Sequence, residues 1–556
     1  MPDSPLLAEI RAALAEEAEA VAGSPPPAVP LAPPASPEMG DVASPLAMSL
    51  ARAAKRPPRE IAEAVAERLR SRGGAAWLDR VEVAGPGFIN ITLAPTWFAA
   101  AAARVVAEGE AYGSGGADEP LRILLEYVSA NPTGPLHVGH ARQAAYGDSL
   151  GRVLSFAGHA VQREYYLNDH GRQMRLFGAS VAARYAQLFG VEAEIPEGGY
   201  HGDYVIPIAR AVRDEAGDTL MPAAADPPDE LVAWFGDRGR ELMLASIRAE
   251  LTRFRVGHDS FFSETTLHEN GAVTRGIEAL LAAGDAYEAE GAVWFRASAY
   301  GDEKDRVLVR ADGEPTYLAA DVAYHLDKAS RGDDRLIDVL GADHHGYIAR
   351  LRAVLAAGGH DPDMLEVSIL QLVSLLERGE ARKMSKRAGT VVTLGDLIDD
   401  IGVDAARFFL VQRSHETALD LDLDLAREQS QENPVYYVQY AHARVCSILA
   451  QIEAETEPAP PAQGPPAVLD PAERALVMRL ADWPIAAAEA AERRAPHRVA
   501  AYLVDLARDF HAFYHRCRVV GEPADVRAFR LDCCLATGGV VRRGLGLLGV
   551  EAPDRM

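Results

Sequence analysis

The chain is short of cysteine, of lysine and of long apolar runs, and each shortage excludes something. Only four cysteines occur in 556 residues, Cys446, Cys517, Cys533 and Cys534, with no Cys-x-x-Cys pair of the kind that clips a metal. A disulfide framework and structural zinc are therefore not expected, whereas a reducing compartment is. Apolar stretches are broken by Arg, Asp or Glu well short of the roughly 20 residues a membrane span requires. The opening MPDSPLLAEIRAALAEEAEA is an acidic amphipathic pattern, unlike a signal or transit peptide. A cytoplasmic chain without membrane association is the expectation. Lysine stands at five positions, Lys55, Lys304, Lys328, Lys383 and Lys386, so arginine supplies nearly all positive charge. Two of the five lie three residues apart, where chemistry wanting a compact ammonium rather than a planar fork would keep them.

Positive charge is scarce overall. A net charge of -25 argues against a polyanionic partner, but residues 471–556 hold 13 Arg against 11 acidic residues, so the acidic excess lies elsewhere. The length exceeds what one hydrophobic core organises and implies two to four domains. Residues 1–112 predict a small α+β domain: a helix to about residue 22, a Pro-rich loop from Ser24 to Pro37, a helix over RPPREIAEAVAERLRSR, and strand–turn–strand in VEVAGPGFINITL. GSGGADEP, from Gly113 to Pro120, reads as a linker.

Residues 113–431 then alternate apolar runs with helical patterns. LRILLEYV, a helix from Gly139 and VQREYYLN make a βαβ unit of a parallel sheet. DRLIDVLGAD and EVSILQLVSL would add strands to it, with a mostly helical insertion over about 177–301. Residues 432–556 read as helical throughout, apart from the loop ETEPAPPAQGPP.

Two short segments carry chemistry. His137-Val138-Gly139-His140 follows a predicted strand and opens a helix, so both imidazoles stand where a helix N-terminus favours phosphate, and Gly139 admits a nucleotide to the backbone. The plainer alternative is a pair of capping histidines. Lys383-Met384-Ser385-Lys386 lies between Gly379 and Gly389 in a charged loop; two ammonium groups there can neutralise a departing pyrophosphate, where the plainer alternative is a solvated basic turn.

Together, EYVSANPTGPLHVGH and KMSK resemble the paired signatures of class I aminoacyl-tRNA synthetases, and the first segment resembles the arginyl branch. YYLNDHGRQM, YLAADVAYHLDK, ENPVYYVQYAHARV, PHRVAAYLVDLARDFHAFYHRCRV and GLGLLGVEAPDRM extend the likeness from GPGFINITL to the last residue, while the first 80 residues match only loosely. The resemblance implies a Rossmann-type α/β catalytic domain, an N-terminal domain contacting tRNA, and an all-α anticodon-binding domain. It implies ATP-dependent ligation of arginine to tRNA(Arg) through an adenylate, with magnesium accompanying the nucleotide and tRNA present before the adenylate forms.

Residue by residue, the resemblance assigns catalysis to His137, His140, Lys383 and Lys386, and ATP binding to Gly139, Met384, Ser385, Gly341, Asp343 and His344. It assigns the arginine pocket to Glu126, Ser129, Asn131, Tyr317 and Asp321. A forked, permanently charged guanidinium needs bidentate carboxylates, which singles out Glu126 and Asp321. Asn168, Asp169 and Gln173 would also face the site. For the tRNA, Tyr436, Tyr440, Arg444 and Arg498 are the stacking and basic groups. A monomer is expected. A silent tRNA-binding paralogue would have no chemical reason to keep both histidines and both lysines. Another nucleotidyltransferase would leave the helical last third unexplained, and a cysteinyl enzyme would need a thiolate centre near the His motif.

Overall fold

The computed structural model describes residues 4–72, 76–221, 223–382, 392–454 and 464–556, with the side chains of residues 225, 343 and 345 outside that description. The Lys383–Lys386 tetrapeptide and most of the ETEPAPPAQGPP loop therefore lie outside the described residues. The chain forms two compact units, Asp118–Glu428 with Leu548–Val550, and Met1–Ala117 with Gln429–Leu547 and Glu551–Met556.

The first unit is built on a five-stranded sheet of β1 (Arg122–Glu126), β2 (Ala160–Leu167), β3 (Ser260–Ser263), β4 (Arg335–Gly341) and β5 (Leu365–Leu370), in the order β5-β4-β1-β2-β3 and parallel throughout. β1 carries a continuous apolar run, Ile123-Leu124-Leu125, buried on both faces as a central parallel strand must be. Strand order reverses between β1 and β4, and the crevice beyond their carboxyl ends is where open α/β sheets bind ligands.

Helix α1 (Val138–Phe156) crosses from β1 to β2 and lies so close to the sheet that a Cβ on Gly147 would fall 2.3 Å from the Tyr127 ring. Helices α2 (Arg172–Gln187) and α3 (Asp229–Arg253) pack together in the expected insertion. α4 (Tyr317–Ser330) precedes β4, and α5 (Leu394–Val411) follows the second motif.

The span 177–301, expected as a mostly helical insertion, also contains short strands. Ser260–Ser263 joins the main sheet as its edge strand, and Ala286–Ala289, Ala292–Phe295 and Arg306–Val309 make a separate antiparallel sheet. Glu290 and Gly291 close that hairpin with φ of 54° and 76°, the two-residue turn whose twist suits paired strands. Strands of four residues are too short for period-two alternation to register.

Arg407 on α5 is a buried hub of this unit. Its Nε donates to the Leu548 carbonyl at 2.7 Å, Nη1 to those of Phe254 at 2.8 Å and Arg255 at 3.2 Å, and Nη2 to Asp148 on α1 at 2.6 Å. Burial raises the Asp148 carboxyl, but Arg407 and Arg152 outweigh it and hold the group below the ordinary carboxylate range.

The second unit joins the two ends of the chain. Val42–Ser44, Phe88–Leu93 and Leu78–Ala84 form an antiparallel sheet packed with the helices Leu46–Ala54 and Pro58–Ser71. The C-terminal segment is helical, as expected, over Pro434–Glu453, Pro471–Ala481, Trp483–Glu492, His497–Arg516 and Ala524–Leu547. The two segments share buried contacts: Trp483 Nε1 donates to the Tyr112 carbonyl at 3.0 Å, Tyr112 donates to the Leu480 carbonyl at 2.8 Å, and Arg474 pairs with Asp41.

Candidate active site

The site is set by strand register. Asp338 on β4 pairs with Glu126 on β1, which pairs with Glu164 on β2, so three carboxylates stand in one row near the carboxyl ends of adjacent strands. One face of α4 lies over that row. Lys328 Nζ donates to Glu126 and, at 2.8 Å, to Asp338; Tyr324 donates to Glu164 at 2.8 Å; Arg331, just past the helix end, donates to Glu164 at 2.8 Å. Residues 321, 324, 328 and 331 recur at the three- and four-residue spacing that aligns them.

After β1 the backbone turns sharply, with Val128 at φ 72° and Ser129 at φ 41°, a costly region for a β-branched residue and one often held at binding sites. The turn lets Ser129 donate to Glu126 Oε1 at 2.9 Å and accept the Tyr166 amide at 3.1 Å. Asn131 follows, donating to Gln173 at 2.7 Å.

His137 is the N-cap of α1. Its Nδ1 accepts the Gly139 amide at 3.1 Å, while His140 Nδ1 accepts the His137 amide at 3.3 Å, and the two rings stack 3.7 Å apart. The capping alternative is thus realised: each Nδ1 is an acceptor, so the neutral ring carries its hydrogen on Nε2. Gly139 is required for this, because a Cβ would lie 2.9 Å from His137 Cε1. Leu136 and Val138 pair with Leu394 and Val392, which brings the segment just after the lysine tetrapeptide beside the histidines.

A cavity of about 860 Å³ gathers most of the expected residues. Glu126, Ser129, Asn131, Tyr317 and Asp321 line one part of it; His137, Gly139, His140, Gly341 and His344 line it as well. Asp343 belongs to the turn after β4, but its side chain lies outside the described residues, as do Lys383, Met384, Ser385 and Lys386. Tyr317 is 51 % exposed, a rim position rather than ordinary core. Asn168 lines the cavity, and its buried Oδ1 has no hydrogen-bond partner among the described residues. Asp169 does not line it: its carboxylate is committed to Ser263 at 2.8 Å, the Thr265 amide at 3.1 Å and Arg240 at 2.7 Å.

Two further carboxylates of the lining were not expected, Glu264 and Asp338. Glu264 accepts from the Tyr166 hydroxyl at 2.8 Å, and burial pushes its carboxyl up to about 7. Burial, reinforced by Glu264 and Glu126 against the pull of His325 and Lys328, pushes Asp321 up to about 6. The cavity therefore presents carboxyl groups in excess of cations, and two of them ionise more readily once a cation arrives.

On the helix Pro434–Glu453, Tyr436, Tyr440 and Arg444 form a half-buried ridge at four-residue spacing, with the tyrosine rings stacked 6.1 Å apart and the Arg444 guanidinium 4.7 Å from the Tyr440 ring and 4.3 Å from that of Tyr514. Arg498 is engaged elsewhere, at 2.6 Å from Glu489. His442, Cys446 and Asp554 approach within 4.8 Å of one another; Cys446 to Asp554 at 3.4 Å and His442 to the Pro553 carbonyl at 3.0 Å tie the final residues to this helix.

A parallel sheet whose strand order reverses beside a His-capped helix is the framework of a class I aminoacyl-tRNA synthetase, and residues 103–197 and 247–433 match the family model described as the catalytic domain of class I (R) tRNA synthetases. Residues 7–93 match the arginyl tRNA synthetase N-terminal domain and residues 438–556 the DALR anticodon binding domain. The chain is 46% identical to the arginine–tRNA ligase of Shouchella clausii over 560 residues, covering 99% of this chain and 98% of that one. It is 44% identical to that of Bacillus subtilis, covering 99% and 97%. The solved arginyl-tRNA synthetase of Thermus thermophilus shares the fold with a TM-score of 0.73 at 24% identity, over 99% of both chains. The chain belongs to the arginyl-tRNA synthetase family.

Proposed function

We propose that the chain ligates L-arginine to tRNA(Arg) with ATP, releasing AMP and pyrophosphate. The observation that carries this is the carboxylate-rich cavity beside the histidine-capped helix in a chain of this family. In the first step an arginine carboxylate oxygen attacks the α-phosphorus, the bond to the β-phosphate oxygen breaks, and pyrophosphate leaves with the electron pair. In the second, the terminal ribose hydroxyl of the tRNA attacks the adenylate carbonyl, loses its proton, and AMP departs.

The residues divide the work by chemistry. Glu126 and Asp321 accept the guanidinium, with Glu264 adding negative potential beside Tyr166 and Tyr317 at the rim. Ser129 and Asn131 orient the α-amino and carboxylate end. Nε2 donors of His137 and His140, at the start of α1, bind the α-phosphate as its charge grows. Gly139, Gly341, Asp343 and His344 hold the nucleoside, while Lys383 and Lys386, with Met384 and Ser385 between them, meet the pyrophosphate. Magnesium arrives on the triphosphate, held by phosphate oxygens and water. The divisions 1–112, 113–431 and 432–556 serve tRNA contact, catalysis and anticodon binding, with Tyr436, Tyr440, Arg444 and Arg498 as basic and stacking groups toward tRNA. We read the enzyme as a cytoplasmic monomer, and among the described residues no helix is long and apolar enough to cross a membrane.

Charging a total tRNA pool with each of the labelled amino acids tests this. Arginine alone is expected to be esterified, and His140→Ala should lower the rate by about 10²–10³-fold. Charging with another amino acid in place of arginine would overturn the reading.

A further inference from the structure

Adjacent like charges repel, and the row Asp338–Glu126–Glu164 sets them directly opposite on neighbouring strands. At the Glu126–Asp338 pair one ammonium reaches both carboxylates, and His325 Nε2 lies 3.1 Å from Asp338. Lys328 is completely buried, its ammonium shared by both carboxylates and lying 4.4 Å from the centre of the Tyr324 ring. Glu126 spends one oxygen on Lys328 and receives the Ser129 hydroxyl on the other, yet it lines the cavity, so acceptor capacity remains on that side.

We propose that Lys328 is a positioning residue for arginine recognition, its ammonium fixed behind Glu126 so that this buried carboxylate has a cation partner and is held turned toward the cavity. The proposal rests on the assignment of Glu126 to the substrate guanidinium. The groups around Glu126 explain why the task falls to Lys328. Asp338 faces it from β4, Glu164 and Tyr166 from β2, and Asp321 and Tyr324 from α4, with Glu264, on the helix after β3, beside Tyr166 and Asp321. All are acidic or neutral, and His325, 3.1 Å from Asp338, is the titratable base of the cluster. Without the ammonium, Glu126 would stand buried with no cation partner, whether or not Asp338 is charged, and a carboxyl group that takes up a proton there is a poor guanidinium acceptor. An ammonium meets both carboxylates as a compact point charge, where a planar guanidinium would spread its charge over a fork. The use of lysine here, in a chain that otherwise prefers arginine, fits that demand.

The test uses the full chain, with arginine and ATP KM measured in tRNA charging from pH 6.5 to 9 and thermal unfolding recorded in parallel. Lys328→Met should raise the arginine KM by about 100-fold at neutral pH and leave the ATP KM within about threefold. The arginine KM should recover by about tenfold or more toward pH 9 as Glu126 ionises, which a purely structural defect would not do. Should Lys328→Met fail to fold, Lys328→Met with Asp338→Asn carries the test, since it removes the stranded carboxylate. It should recover stability without recovering the arginine KM. An unchanged arginine KM in folded Lys328→Met would overturn the proposal, as would a pH-independent rise shared equally with ATP, or full KM recovery in the double variant. Glu126→Gln separates the layers: an unchanged arginine KM there would remove the Glu126 assignment itself, whereas a raised KM beside an unaffected Lys328→Met would sink only the role of Lys328.

Discussion

Replacing Asp321 by Asn is expected to raise the arginine KM by about two to three orders of magnitude while the ATP KM moves by less than about threefold. The substitution keeps shape and removes charge, so the loss measures recognition of the guanidinium rather than packing. Asp321 lines the cavity at the start of α4, and its carboxyl is already pushed up to about 6 by burial and by Glu264 and Glu126. A guanidinium reverses that cost, because the ionised form gains a charge-assisted partner in a site that otherwise disfavours it. Arginine binding should consequently release protons. With Asp321 at about 6 and Glu264 at about 7 in the arginine-free protein, affinity should climb as pH rises through 6 to 7 and level off above, where both carboxyls are already ionised. Steady-state charging across that range reads the slope, and Asp321→Asn should erase its lower portion. A flat profile in the parent protein would separate these carboxyls from the substrate.

The second large effect concerns stability. Arg407→Met should cost about 3–5 kcal/mol in denaturant unfolding, since it removes one partner of a buried pair and strands the other. Asp148 would lose its closest cation, and the carbonyls of Leu548, Phe254 and Arg255 would lose a shared donor. Adding Asp148→Asn should cost less than the sum of the single changes, because the pair acts as a unit. The pH dependence has a definite sign. The Asp148 carboxyl is depressed in the folded state, so its contribution is complete above the unfolded value and is lost as pH falls below that value and through the folded one. Additive costs, or a cost below about 1 kcal/mol, would show the hub to be replaceable packing.

How legible all this was in the sequence follows a physical line. Motifs local in the chain could be read directly: His137 to His140 sit where a strand ends and a helix begins, Glu126 closes an apolar strand, and Tyr317 and Asp321 share a helical face. Groups that matter through register could not be. Asp338 stands inside the run LIDVL and looks like one polar residue in a strand; only pairing with Glu126, over two hundred residues away, gives it meaning. Lys328 had a signal, as one of five lysines and seven residues after Asp321 on one helical face, but its partners belong to two strands. Glu264 opens the short helix after β3, a strand whose four residues carry no usable periodicity. The union of the chain's two ends in one unit rests on contacts such as Arg474 with Asp41, 433 positions apart, which no local pattern encodes.

The measurement closest to the central claim is ATP–pyrophosphate exchange by the unaltered protein, with tRNA present, comparing arginine with citrulline and lysine. Citrulline keeps the shape of arginine and replaces the guanidinium with a neutral ureido group, so it isolates the charge the carboxylates are proposed to read. Exchange should be supported by arginine, and kcat/KM for citrulline should be at least about 10⁴-fold lower, because the buried acceptors would be left unpaired. Comparable exchange with citrulline, or exchange with lysine and none with arginine, would contradict the account.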